Sequence, residues 1–184
     1  ADCSLREVRC ETYRGLVCFN LDNGAEPLNA WLGNAFESLD SALASDLEVF
    51  HYSRAILKGN WKDWQSSNMD PYHEFMHARL RRTNVMTEAG MAGRSFQTYP
   101  NGHARFGGMT VDYSKHESIT HRDIPDCLPG VDPSAFQSVP LFPNGLVATR
   151  GTVMRIDITT PIGPLETLVE WRGICVTGLS EEQM

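Results

Sequence analysis

The order in which strand and helix patterns succeed one another is what most limits how this chain of 184 residues can fold. Past Gly93 the pattern is one of short strands. Residues 95–99 and 103–113 flank Pro100-Asn101-Gly102, where Asn-Gly supplies the positive φ angles of a hairpin turn. Residues 145–148, 153–160 and 166–176 are further strand-like runs, with turns at Gly151 and at Pro161-Ile162-Gly163-Pro164. Before Gly93, residues 8–10 and 15–19 read as strands and Asp22-Asn23-Gly24 as a turn. Residues 47–57 form a strand in which Val49, His51, Ser53, Ala55 and Leu57 alternate with their neighbours. Helical patterns are inserted among these: 27–33, closed by Gly33; 36–44; one around 61–65; and one from about 71 to 82. Residues 114–138, with Pro125, Pro129 and Pro133, read as a long connection of the kind that carries function or hides a short helix. Parallel strands need crossover helices, and no strand–helix–strand alternation is present. The expectation is an α+β fold on an antiparallel sheet with inserted helices.

Composition excludes several classes of function. With 41% hydrophobic and 21% charged residues, the chain has the make-up of a soluble globular protein of single-domain size. A net charge of −7 argues against nucleic acid or an anionic membrane surface as the main partner. The one basic cluster, Arg79, Arg81 and Arg82, falls at the end of the helix expected over 71–82, where cations complement the helix dipole. No apolar run reaches the roughly 18 residues of a membrane span, and no signal peptide is apparent. The five cysteines are widely spaced, without a C-x-x-C or C-x-H pair, so neither a disulfide framework nor a zinc or iron–sulfur motif is expected. A cytoplasmic, reduced chain is the simplest account. The sequence opens without Met, and Ser180-Glu181-Glu182-Gln183 reads as a capping box directly before Met184. A fragment of a longer protein is therefore expected.

The chemistry concentrates in residues 60–77. Asp70 is a good N-cap, and Pro71 at the first helical position gives up an N–H that would be unsatisfied anyway. On the α-helix expected from there, His73 and His77 are four positions apart and share a face, with Asp70 at the near end of the same stripe. That is a metal-site pattern. Two helix histidines can also be plain capping or core residues. The polar run Gln65-Ser66-Ser67-Asn68 upstream, where a packed helix pair would want apolar residues, favours the metal.

These residues resemble the mononuclear iron region of the large (α) subunit of Rieske-type aromatic-ring-hydroxylating oxygenases. The resemblance rests on Asn60-Trp61-Lys62, Asp70-x-Tyr72-His73 and His77. It extends to Tyr13-Arg14-Gly15-Leu16-Val17, Pro27-Leu28 and Leu32-Gly33 on one side, and to Phe142-Pro143-Asn144 and Pro161-x-Gly163-Pro164-x-Glu166-Thr167 on the other. It implies a helix-grip, START-like catalytic domain in which an antiparallel sheet wraps a long helix and encloses a pocket over a non-haem Fe(II). Residues 1–22 would be the end of, or linker from, an N-terminal Rieske-type domain, and residues 23–184 a partial mononuclear-iron catalytic domain. His73 and His77 would be two ligands of a 2-His-1-carboxylate site with positions open for dioxygen. Asp70 would be the catalytic acid that bridges from a ligand histidine toward the Rieske centre of a neighbouring subunit. Three residues separate the two histidines here, where the family commonly has four, and Ser66-Ser67 stand where it has Glu-Asn. The third ligand is expected beyond Met184. The C-x-H and C-x-x-H ligands of the [2Fe-2S] cluster are absent from this sequence, so the chain on its own is not expected to turn over. The implied partners are an aromatic substrate, such as an aromatic acid, with O2; ferredoxin or reductase electron donors; and sister subunits in an α3 or α3β3 assembly.

Two other readings use the same residues. His73-Glu74-Phe75-Met76-His77 is literally H-E-x-x-H, in which Glu74 would activate water on zinc in a peptidase, although no further ligand comes at the required spacing. A non-catalytic START-like binding module would instead have a deep apolar pocket and no metal. His103, His116 and His121 line a substrate entrance or are simply exposed turn residues. Trp61, Trp64, Met69, Phe75 and Met76 are expected in the core, and Asn68 either orients a ligand or satisfies backbone near the helix break.

Overall fold

A computed structural model of the chain describes residues 4–116, 128–150 and 153–181, without the side chains of Pro71, Glu74 and Phe75. His121, Cys3, Cys127 and the Glu182-Gln183 half of the capping box lie outside the described residues. The strands are β1 (Arg9–Tyr13), β2 (Leu16–Asn20), β3 (Leu47–Lys58), β4 (Ser95–Thr98), β5 (Ala104–Thr110), β6 (Ala135–Leu141), β7 (Gly145–Arg150), β8 (Val153–Gly163) and β9 (Glu166–Val176). Short α-helices α1 (Leu28–Leu32), α2 (Trp61–Ser67), α3 (Ala78–Arg82) and α4 (Glu88–Met91) lie between them. Strands β3 to β9 form one antiparallel sheet in the order β3-β9-β8-β7-β6-β5-β4, and β1 pairs with β2 in a separate hairpin. The expected α+β class and antiparallel pairing are what the structure has. The long helix implied by the family resemblance is not among the described residues, where the longest α-helix, α2, has seven residues. None of the described helices is long and apolar enough to cross a membrane.

Local chemistry sets the turns. Between β4 and β5, Asn101 and Gly102 take φ of 61° and 80°, as the Asn-Gly pair predicted. In β5, Gly108 takes φ of 79° at a bulge, and a Cβ there would sit 2.5 Å from the Gly93 carbonyl oxygen, so only glycine lets the two backbones approach. A 3-10 helix, Gly33–Leu39, replaces the front of the helix expected over 36–44. Strand β6 was hidden inside the connection expected over 114–138. Its Ser138, Val139 and Pro140 are all buried, so it shows no alternation to read. Pro140 is tolerated because β6 has by then run past its last pair with β5, Phe106↔Ser138.

The sheet buries its two faces differently. On one, Val139, Val147, Met154, Ile156 and Ile174 pack against Leu32 of α1, Phe36 and Leu39 of the 3-10 helix after it, and Leu43 in the turn that follows. Each large side chain fully buried there contributes about 1.5–3 kcal/mol. Tyr13 of the β1–β2 hairpin stacks on Phe36 at 5.1 Å and donates its hydroxyl to Asp40 at 2.9 Å, fastening the hairpin to this layer.

His103 is neither an exposed turn residue nor part of an entrance: it is 1% exposed. Its Nε2 lies 3.0 Å from the Trp31 carbonyl oxygen, and its Nδ1 accepts the Phe142 N–H at 3.1 Å. Only the neutral ring protonated at Nε2 satisfies both contacts, and burial holds its pKa below the ordinary histidine value. The unfolded chain takes up this proton as pH falls through about 6.5, while the folded chain does not. Folding stability should therefore be fully present above that value and decline as pH falls below it. His103→Leu should strand the Phe142 N–H, cost about 1–3 kcal/mol at neutral pH, and remove this share of the pH dependence. Urea unfolding of both proteins between about pH 7.5 and 5 checks both outcomes.

Candidate metal-binding turn and the charged sheet face

Residues leading into the histidine turn are anchored on the sheet. Asn60 caps α2 by accepting the Lys62 N–H at 3.1 Å, and its own amide donates to the Pro164 carbonyl at 2.9 Å. Gln65 donates to Thr159 Oγ1 of β8 at 3.3 Å, and Trp64 meets Trp171 of β9 edge-on at 5.6 Å. Asn68 closes α2, donating to the Trp64 carbonyl at 2.8 Å while its Oδ1 accepts from Arg155 Nη2 at 3.4 Å. Met69 packs on the cluster of Met91, Phe106 and Met109. The chain thus reaches Asp70 tied to both β8 and β5.

Asp70 then caps the turn, its Oδ1 accepting the Tyr72 N–H at 2.7 Å. The continuous α-helix expected over 71–82 does not form. Pro71–Met76 is a 3-10 helix, and α3 begins only at Ala78, with His77 as its N-cap at φ −76° and ψ 45°. Short helices persist through burial of an apolar stripe, and here Tyr72 and Met76 are 80% and 72% exposed. At three residues per turn, positions four apart no longer share a face. The backbone break at His77 restores the pairing: the His73 and His77 ring centres are 5.2 Å apart, with planes at 63°. Two imidazoles that share one ion at about 2.1 Å place their centres at about this separation. Asp70 Oδ2 lies 3.8 Å from His73 Nδ1, too far for a hydrogen bond but close enough to orient the ring and leave Nε2 outward. Among the described residues no group of three His, Cys, Asp or Glu side chains could hold a metal ion. The structure sets the His73 and His77 rings side by side and Asp70 near His73, and adds no further ligand among the described residues. Arg79, Arg81 and Arg82 fall in the last turn of α3, as expected.

The face of the sheet onto which α2 folds carries charges that the sequence pattern did not single out. Register places Phe136 opposite Arg150, Ser138 opposite Ala148, Ala148 opposite Arg155, and Asp157 opposite Trp171. Cross-strand partners share a face, so Arg150, Arg155, Asp157 and Ser138 all point to the same side. Arg155 grips the fully buried Asp157 side-on, Nε to Oδ1 at 2.7 Å and Nη2 to Oδ2 at 2.9 Å. Arg150 lies over the Phe136 ring at 5.1 Å. Burial pushes the Asp157 carboxyl up, opposed by the charge of Arg155 and its hydrogen bond and by the charge of Arg150. Burial, and then the like charge of Arg155, pull Arg150 down. Tyr113 is raised by burial against the opposing pull of both arginines. The alternation of Arg155 and Asp157 with Met154, Ile156 and Ile158 would suggest a solvent face, so the local pattern held no warning that these charges are covered. A separate cleft of about 420 Å³, lined by Ser38, Arg105, Asp132 and Gln137 among others, includes none of Asp70, His73 or His77.

No protein-family model matches the chain. It is 46% identical over 182 residues, 98% of its length, to the 2-aminobenzenesulfonate 2,3-dioxygenase subunit alpha of an Alcaligenes species, covering 46% of that protein. It is 36% identical over 172 residues to the methanesulfonate monooxygenase hydroxylase subunit alpha of Methylosulfonomonas methylovora, covering 92% of this chain and 41% of that one. The chain thus spans less than half the length of these curated relatives. In structure it is similar to a quaternary ammonium Rieske monooxygenase in complex with an inhibitor, with a TM-score of 0.71 at 19% identity over 96% of this chain and 44% of that one. At that identity the likeness shows the fold.

The buried ion pair carries a direct expectation. Asp157→Asn should cost about 3 kcal/mol, because it leaves the Arg155 guanidinium without its carboxylate. Glu166→Gln, at the exposed pair with Lys58, should cost under about 1 kcal/mol. Denaturant midpoints of the two variants measure the contrast.

Proposed function

We propose that the chain, which matches oxygenase α subunits over nearly all of its length, is a member of the Rieske-type oxygenase α subunits and forms part of the mononuclear-iron catalytic domain of a ring-hydroxylating oxygenase. The observation that carries this reading is the approach of His73 and His77, 5.2 Å apart, with the Asp70 carboxylate beside His73. His73 and His77 would hold a non-haem Fe(II), with the third ligand coming from outside the described residues. Bound there, the iron supplies activation of dioxygen for hydroxylation of an arene.

The residues of this chain do the positioning. Asp70, fixed by the Tyr72 N–H, stands 3.8 Å from His73 Nδ1 and with metal bound would close to accept a hydrogen bond from that N–H, so that Nε2 would be presented as a neutral donor. The same carboxylate would lie on the route from the metal ligand to a neighbouring subunit, along which electrons from a [2Fe-2S] cluster and its ferredoxin or reductase donors would arrive in an α3 or α3β3 assembly. Residues 1–22 and 23–184 would divide as the end of the cluster domain and the iron domain. The relatives named for 2-aminobenzenesulfonate and methanesulfonate support a small organic acid as substrate, an aromatic one by the family's commoner chemistry. The peptidase reading, with Glu74 as base, would leave nearly full-length similarity to oxygenase subunits unexplained, and the binding-module reading would leave the paired histidines without a task.

His73→Ala and His77→Ala should each abolish iron retention by the intact subunit, whereas Asp70→Asn should keep the iron and lose at least about tenfold in turnover driven by the reductase chain. Elemental analysis of the purified variants and oxygen uptake with NAD(P)H read the two effects separately. Iron content unchanged in either histidine variant would remove that residue from the site.

A further inference from the structure

The charged sheet face holds more positive charge than its own carboxylate answers. Among the described residues it presents two guanidinium groups, Arg150 and Arg155, and one buried acid, Asp157. Arg155 is paired: its Nη2 donates to Asp157 and reaches Asn68 Oδ1, and its Nε stands 2.7 Å from Asp157 Oδ1. Arg150 is not. Among the described residues it forms no ion pair: its guanidinium lies over the Phe136 ring, and its Nε is buried without an acceptor. Diagonally across from Arg150 on the adjacent strand, Ser138 is 1% exposed, with a buried hydroxyl that has no partner. Water could satisfy the donors but would leave the charge uncompensated, and a half-buried cation without a paired carboxylate is costly. An oxoanion answers both needs, because it accepts in a fork from a guanidinium and from a hydroxyl beside it. The lowered pKa of Arg150, caused by burial and the neighbouring Arg155, fits a group waiting for a negative partner. The face is also close to the histidine turn, since Asn68, which touches Arg155, lies two residues before Asp70.

We infer that Arg150, with Ser138 beside it and Arg155 behind it, receives the oxoanion head group, sulfonate or carboxylate, of the small organic acid on which the enzyme acts. Arg150 and Ser138 are thereby specificity-determining residues. The inference leans on the oxygenase reading only in calling that acid a substrate. The site itself rests on unanswered charge and unpaired donors on one sheet face.

Binding to the intact, metal-free subunit tests it without any need for turnover. The Trp64–Trp171 pair on the same face supplies a fluorescence signal. Benzenesulfonate and benzoate should bind at least about tenfold more tightly than neutral benzamide, and whichever acid binds more tightly identifies the head group. Arg150→Gln should weaken the acids by roughly tenfold to a hundredfold and leave benzamide unchanged. Arg150→Lys, which keeps charge but not the fork, should recover part of the loss, and Ser138→Ala should weaken the acids by about two- to tenfold. Should Arg150→Gln fail to fold, the lysine and Ser138 variants still decide. Acids binding equally to wild type and these variants, or no more tightly than benzamide, would overturn the inference. Acid binding that depends on Arg150 in a subunit showing no dioxygen-dependent turnover would overturn the oxygenase reading and leave this site standing. Turnover of an acid with the same KM in wild type and Arg150→Gln would do the reverse.

Discussion

An antiparallel sheet covered on both faces sends alternate residues of every strand into two separate interiors. Everything in this structure depends on that pleat. In β8, Met154 and Ile156 enter an apolar layer with Leu32, Phe36 and Leu39, while Arg155 and Asp157 between them enter the layer under α2. A slip of one residue in register would exchange the two sets and bury the charges among leucines. The same constraint lets a chain of modest length keep one face for cohesion and the other for chemistry. Cohesion comes from close-packed aliphatic contacts and from the doubly bonded His103, which ties the β4–β5 hairpin to Trp31 of α1. Among the described residues the other face is held by the Arg155–Asp157 ion pair, by the amides of Gln65 and Asn68, and by the cluster of Met91, Phe106 and Met109.

The histidine turn rests on this second face. Gln65, Asn68 and Met69 fix the chain on β8 and β5 before it reaches Asp70, so the turn is held by its approach rather than by its own helical stability. That explains how a segment with exposed Tyr72 and Met76 can still present two imidazoles together. It also makes Asp70 do two jobs, capping the turn through one oxygen and facing His73 with the other.

Much of this was legible in the residues. The alternation of 47–57, the Asn101-Gly102 turn and the strand runs near the C-terminal end all appear in the sheet, because turn chemistry and period-two patterning are local properties. The histidine pair and its acid were also found, though by way of one α-helix that the backbone replaces with a 3-10 helix and a break. What stayed hidden was what burial alone decides. Strand β6 has no exposed side and so no alternation. His103 looked like a turn residue because its partners, the Trp31 carbonyl and the Phe142 N–H, are distant in sequence. Arg150, Arg155 and Asp157 looked like the wet side of their strands, and only the placement of α2 covers them.

The central claim is that His73 and His77 hold iron beside a face prepared for an acid. An anomalous-scattering map at the iron edge, from crystals of the intact subunit loaded anaerobically with Fe(II), tests it most directly. The expected result is one peak at about 2.1 Å from a ring nitrogen of each histidine, with Asp70 against the far nitrogen of His73. A peak held by other residues, or a zinc edge at this position with none for iron, would contradict it.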